Sequence, residues 1–220
     1  MRVDSFHPSV FASPPERRRS IQKKYVRHFP TNGLVADLGC GDGVFLELLK
    51  DSGRRGIGVD HTEKFITQIR EKGLEAVQED VFDFLRKNQS RFEGVFASHV
   101  IEHFPAAKGL ELVELIHDAL RPGGVALLIT PAYHDINVSG ERFWLDISHV
   151  RPYPLILLRE VFLHLGMEVV TWGYDSDTKD SSDIRKGRGF VRDLVTKLLF
   201  GPYYNVGDAF MVGRRKTLQV

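Results

Sequence analysis

The chain has a single cysteine, Cys40, among 220 residues, so an internal disulfide is ruled out, and such usage suits a reducing compartment. It also lacks any apolar run approaching the ~20 residues that span a bilayer. The polar stretch from Met1 to Pro15 has no hydrophobic core of a secretory signal, so a cytoplasmic location is expected. Charge of one sign is missing too: 30 Lys and Arg against 29 Asp and Glu leave a formal net charge of +1, and no global field draws the chain to nucleic acid or acidic partners. What is present, 42% hydrophobic and 27% charged residues, fits one soluble α/β domain with some decoration.

From residue 34 onward, strand-like apolar runs alternate with amphipathic helical ones. Strands are expected at 34–38, 56–60, 74–78, 94–98 and 125–129. The last is a continuous Val-Ala-Leu-Leu-Ile run of the kind covered on both faces. Helices are expected from Val44, after Thr62, over 82–87 and from Leu110 to Leu120, where Arg121-Pro122-Gly123-Gly124 reads as a turn. This alternation predicts a parallel, doubly wound sheet. Before it, residues 1–15 read as a loose arm and Glu16 to Phe29 as one helix ending at Pro30. The helix's basic face is either solvated or a patch for an anionic ligand. Residues 131–154 form a long aromatic and polar insertion, which favours a functional role. A helix at 155–165, strands at 167–172 and 208–214, and a basic helical segment at 185–200 complete the chain. Its organisation is thus an N-terminal arm and helix over 1–30 and a single domain over 31–220.

The most informative stretch is Leu34-Val35-Ala36-Asp37-Leu38-Gly39-Cys40-Gly41-Asp42-Gly43. A buried strand ends in an acid, passes through three alternate glycines and enters the helix Val44-Phe45-Leu46-Glu47-Leu48-Leu49. The glycines let the backbone turn tightly and approach a ligand that a Cβ would repel. The spacing is G-x-G-x-G, not the G-x-G-x-x-G of dinucleotide folds, and no phosphate-binding lysine follows. Asp60 ends the second strand about twenty residues later, where an acid can accept both hydroxyls of a ribose or cap the next helix. Glu79-Asp80-Val81 follows the third strand, Phe96-Ala97-Ser98-His99-Val100-Ile101-Glu102-His103 the fourth, and the Pro-Gly-Gly turn precedes the fifth.

These four motifs, in this order over residues 33–131, resemble the class I S-adenosylmethionine-dependent methyltransferases. The resemblance implies a Rossmann-like, seven-stranded, mostly parallel sheet with helices on both faces and an antiparallel seventh strand. It implies S-adenosylmethionine as cofactor, S-adenosylhomocysteine as product, and no metal. It places Gly39, Cys40, Gly41 and Gly43 in the cofactor turn, with Asp37 at the amino end of the cofactor and Asp60 at its ribose. Asp80 and Val81 then bracket the adenine, although Asp80 serves equally as a helix cap, and Ser98 lines the methionine end.

The acceptor side is sought after the fifth strand. Trp144, Asp146, His149, Arg151 and Pro152 fall in one loop, and the pattern W-x-D-x-x-H-x-R-P resembles bacterial methyltransferases associated with polysaccharide and glycolipid synthesis. On that resemblance, methyl transfer goes to a small or carbohydrate-like acceptor, most favourably at oxygen. His149 is the first candidate for the base, with Asp146 fixing its tautomer, and His103, beside Glu102, is the second. Trp144 offers a flat face to a sugar, Arg151 a cation to an anionic acceptor, and His134 a further contact. The alternative for Asp146, His149 and Arg151 is a structural cluster that pins the loop. For the whole chain, the alternatives are N- or C-methylation of an amine or a quinone-like ring, and a non-catalytic cofactor-binding module. A nicotinamide-dependent oxidoreductase is disfavoured by the glycine spacing. Segment 185–200 suits either packing or peripheral contact with an anionic membrane; nucleic acid is not an expected partner, and the oligomeric state is open.

Overall fold

The computed structural model describes residues 13–136, 138–179, 194, 195, 197–203 and 206–217. Its centre is a seven-stranded sheet in the order β3-β2-β1-β4-β5-β7-β6. The strands are β1 Leu34–Leu38, β2 Arg55–Asp60, β3 Glu75–Gln78, β4 Phe92–Ser98, β5 Leu120–Thr130, β6 Glu168–Asp175 and β7 Asp208–Arg214. Strands β1 to β5 pair in parallel. Strand β7 inserts antiparallel between β5 and β6, with Thr130 opposite Ala209. The expected Rossmann-like sheet and its antiparallel seventh strand are both present.

Alternation along the strands splits the core into two layers, because neighbouring side chains point to opposite faces. Ala36, Leu38, Val95, Ala97, Ala126 and Leu128 pack with α4 (Val81–Lys87), α5 (Ala106–Ala119) and α7 (Leu155–His164). Val35, Phe96, Val125, Leu127 and Ile129 face α2 (Val44–Asp51) and α3 (Glu63–Glu71) on the other side. Both faces are covered, as the continuous apolar run of β5 requires.

Several expectations are corrected. The N-terminal helix is α1 only over Pro15–Gln22 and tightens into a 3-10 turn at Lys23–His28, which buries Tyr25 and Val26. Its basic face is neither free nor merely solvated: Arg18 pairs with Asp42, Arg19 with Glu47 and Asp51, and Lys24 with Asp175 and Asp177. Helix α5 begins at Ala106 rather than Leu110. Residues 121–124 are not a separating turn; they lie inside β5, where the register slips between Phe92 and Gly94. The insertion contains a helical turn at Val138–Arg142 and the short α6, Phe143–Leu145. Most of 185–200 lies outside the described residues; 194, 195 and 197–200 are helical. No described helix is long and apolar enough to cross a membrane.

The insertion is anchored by the residue that ends its aromatic motif. Tyr153 is 1% exposed, and its hydroxyl donates to the carbonyls of Phe104 and Pro105, 2.9 and 3.1 Å away. The ring passes directly over Gly109 of α5, where an added Cβ would come within 1.9 Å of the Tyr153 hydroxyl oxygen. A Gly→Ala change inside a helix ordinarily stabilises by up to about 1 kcal/mol. Here overpacking wins, at about 1–3 kcal/mol. Gly109→Ala is therefore expected to lower the urea midpoint, whereas Gly123→Ala, which meets nothing within 4 Å but sits at φ +82°, is expected to cost only backbone strain.

Candidate active site at the carboxyl ends of the strands

Strand order reverses between β1 and β4, and open α/β sheets bind ligands in the crevice outside the strand ends at that point. The register brings Leu38, Asp60, Gln78, Ser98 and Thr130 to this edge, joined by Asp208 at the start of antiparallel β7. Two surface hollows lie elsewhere, about 360 Å³ beside Arg19 and Lys72 and about 710 Å³ between α5 and α7.

Gly39, Gly41 and Gly43 all adopt left-handed φ, of 63°, 52° and 83°. At Gly41 nothing lies within 4 Å of the position a Cβ would take, so the backbone there stays open to a ligand. The turn is tied to β2 from below. The amides of Gly39 and Cys40 donate to the Val59 carbonyl at 2.8 and 3.1 Å. The amide of Gly41 donates to Asp60 Oδ2 at 3.1 Å, while Oδ1 accepts from Thr62 N at 2.8 Å. Asp60 is 7% exposed and Asp37 3%. Burial, then the neighbouring Asp60 and Asp42 charges, push the Asp37 carboxyl well above the usual range. Burial also raises the Cys40 thiol, whose sulfur fills the space beside Gly58, so a packing role fits it.

Asp80 is the N-cap of α4: its Oδ1 accepts from Phe82 N at 2.9 Å and Asp83 N at 3.2 Å. The capping reading is therefore correct, and because both bonds use Oδ1 it does not exclude the adenine. Val81 is buried next to it, and Ser98 is half-buried at the end of β4.

The residues expected on the acceptor side divide into two groups. His103 and His149 come together, with ring centroids 4.8 Å apart. His103 Nδ1 contacts Ser148 Oγ at 3.0 Å, and Ser148 Oγ donates to Asp146 Oδ1 at 2.6 Å. His149 Nδ1 contacts the Phe143 carbonyl at 2.7 Å. This corrects the expected role of Asp146, which lies 3.9 Å from His149 Nε2: the backbone carbonyl sets the His149 tautomer, and Asp146 acts on His103 through Ser148. Burial opposes ionisation of Asp146, but its two bonds from Ser148 and the nearby imidazoles hold it below the usual carboxylate range. Trp144 is 58% exposed beside this corner, edge-on to Phe143. Arg151 turns back, its Nε on the Pro152 carbonyl at 3.3 Å and its guanidinium over the Tyr153 ring. His134 is separate, packed between Tyr174 and Tyr203 at 4.0 and 5.7 Å.

One residue escaped the sequence reading. His99 follows β4 with φ 56°, a left-handed conformation rare for a residue other than glycine and found at functional sites. Its Nδ1 meets Glu102 Oε1 at 3.1 Å and its Nε2 meets Asp208 Oδ2 at 3.4 Å. The side chain is 43% exposed, so desolvation disfavours its charge only in part, and Asp208 and Glu102 outweigh it and hold the imidazole well above its ordinary pKa. Glu102 is fully buried; burial opposes its ionisation, yet the His99 hydrogen bond holds its carboxyl below the usual range. The remaining Glu102 oxygen accepts from Thr130 Oγ1 at 3.1 Å. Asp208 lies 109 positions from His99, so only the flanking Glu102 was a signal in the sequence.

Asp37 carries a stability prediction. Its folded pKa lies above the unfolded value near 3.9, so the unfolded chain releases a proton that the folded chain keeps, and stability falls as pH rises through that window. Asp37→Asn is expected to raise the thermal midpoint of the ligand-free protein at pH 7.5, with the gain shrinking toward pH 4. A lowered midpoint at pH 7.5 would contradict this.

Residues 15–174 match a family model described as a methyltransferase domain. The 2-ketoarginine methyltransferase of Streptomyces arginensis is 28% identical over 174 residues, covering 70% of this chain and 51% of that protein, so the chain spans about half of that relative's length. The ubiquinone biosynthesis O-methyltransferase of Xylella fastidiosa is 26% identical over 200 residues, 80% of this chain and 79% of that one. Among solved structures, a SAM dependent methyltransferase from Archaeoglobus fulgidus shares the fold, with a TM-score of 0.75 at 23% identity over 94% of this chain and 96% of that chain. With the family model covering most of its length, this chain belongs to the methyltransferase-domain family, on the Rossmann-like fold of S-adenosylmethionine-dependent methyltransferases.

Proposed function

We propose that this chain transfers the methyl group of S-adenosylmethionine to a hydroxyl of a small or carbohydrate-like acceptor. The observation that carries the choice of oxygen is the corner after β4 where His103, His149 and Asp146 come together. A hydroxyl must lose a proton as the new bond forms, whereas a neutral amine or a carboxylate needs no such help. The Xylella relative, named an O-methyltransferase of ubiquinone biosynthesis, supports oxygen as well.

The cofactor, when bound, supplies a methyl group already activated by a positive sulfonium. The residues fit it. The open backbone at Gly41 admits it, Asp60 accepts from the ribose diol, and Asp37 faces the amino group. Asp80 Oδ2 and Val81 take the adenine, and Ser98 the methionine end. On the acceptor side, exposed Trp144 offers its ring to a sugar face, Arg151 an anionic substituent, and His134 a more distant contact. The W-x-D-x-x-H-x-R-P loop supports a polysaccharide or glycolipid acceptor. Leu198 and Leu199, 77% and 73% exposed, support a peripheral contact with the inner face of a membrane if that acceptor is lipid-linked.

Isothermal titration with S-adenosylhomocysteine tests the cofactor half. Wild type is expected to bind and NADH not to. Asp60→Asn removes hydrogen bonds to a charged group worth about 1.5–3 kcal/mol, a loss of roughly ten- to a hundredfold. His149→Ala is expected to keep its affinity. For the transfer itself, His103→Ala is expected to lower turnover of a hydroxylated acceptor about a hundredfold or more with S-adenosylhomocysteine affinity unchanged. Methylation confined to amines would overturn the choice of oxygen.

A further inference from the structure

We propose that Glu102, His103 and His149 form a binding site for a divalent metal ion at the acceptor end of the cleft. The site stands on geometry; its catalytic consequence rests on the O-methylation reading. The proposal departs from the sequence-based expectation of no metal.

One donor atom from each of the three residues lies within 4.8 Å of the others. Two distant segments supply them: Glu102 and His103 from the 3-10 turn after β4, and His149 from the insertion. The insertion is held against that turn by its backbone, since the amides of Val150 and Arg151 donate to the Glu102 carbonyl at 2.9 and 3.3 Å. Bonds of about 2.1 Å to a common ion would need the side chains to close by roughly an ångström.

The hydrogen bonds around the two rings point the same way. Ser148 Oγ gives its proton to Asp146, so it accepts from His103, and the His103 proton is on Nδ1. The Phe143 carbonyl can only accept, so the His149 proton is on Nδ1 as well. In the neutral form of each imidazole, Nε2 is therefore the nitrogen with the lone pair. Fixing a ligating histidine through a hydrogen bond from its other nitrogen is the usual support around metal sites, and Asp146–Ser148–His103 and Phe143–His149 both have that form. Glu102 adds a carboxylate, whose bonds to His99 and Thr130 use one lone pair of each oxygen.

Two imidazoles and one carboxylate suit Mn²⁺, Co²⁺ or Zn²⁺ better than Mg²⁺, which prefers oxygen ligands. Three protein ligands leave coordination positions open for an acceptor oxygen. A hydroxyl bound there loses its proton to water far more readily than in solution. Its oxygen then forms the O–CH₃ bond as the S–CH₃ bond breaks, the electron pair stays on sulfur, and S-adenosylhomocysteine leaves.

The test is a titration of the untagged, chelator-treated chain with Co²⁺ and with Mn²⁺, read by calorimetry and, for Co²⁺, by visible absorption. About one ion per chain is expected. Affinity should fall about a hundredfold in His103→Ala, His149→Ala and Glu102→Gln, and should be unchanged in His164→Ala on α7. Retained S-adenosylhomocysteine binding shows that each variant is folded; for Glu102, which is buried, the more conservative Glu102→Asp provides a second reading. Absence of stoichiometric binding, or binding indifferent to all three positions, overturns the site. Stoichiometric Co²⁺ binding without methylation of any hydroxyl leaves the site standing and removes the O-methylation reading. Hydroxyl methylation undiminished by chelator, with no ion bound, does the reverse.

Discussion

Asp60 holds two backbone amides at once, Gly41 at 3.1 Å and Thr62 at 2.8 Å, from the end of a strand where it is almost wholly buried. The rest of the cofactor side depends on this carboxylate. Three glycines in left-handed conformations would otherwise leave the turn loose, since glycine loses the most freedom on folding. With the Val59 carbonyl taking two more amides, the turn is clamped to β2, and its upper surface is left open.

Glu102 plays the corresponding part beyond the end of β4. Its carboxylate binds His99 and Thr130, and its carbonyl binds Val150 and Arg151. One buried residue thus joins the end of β4, the end of β5 and the insertion. His99, held in a left-handed conformation between Glu102 and Asp208, extends the network to β7. A left-handed histidine and a fully buried carboxylate thus meet where β4, β5 and β7 come together, a combination found at functional sites.

The N-terminal helix closes the opposite layer. Tyr25 donates its hydroxyl to buried Asp175 at the end of β6, and Lys24 pairs with the same carboxylate. Burial, then the Asp175 hydrogen bond, raise the Tyr25 hydroxyl far above its ordinary pKa, so it remains a donor. The helix and the 3-10 turn after it are thereby fastened to the glycine turn, to α2 and to the edge strand β6.

Local physics made the fold legible in the sequence. Apolar alternation, glycine turns and the order of strand-end acids act over a few residues and do not wait for tertiary contacts. The strands from Leu34 and Asp208, the Rossmann-like sheet and the glycine turn were readable for that reason. Boundaries such as Ala106 and Lys23 were not, because buried partners decide where a helix starts or tightens. The acceptor side was readable only as a set of residue types. Placing His103 beside Ser148 and His149 and bringing Asp208 to His99 depend on chain segments 45 to 109 positions apart. By itself, then, the sequence determined the strand-turn-helix frame and its glycine turn; the tertiary structure alone decided which ionisable side chains face one another, because those distances are set by packing and not by neighbours in the chain.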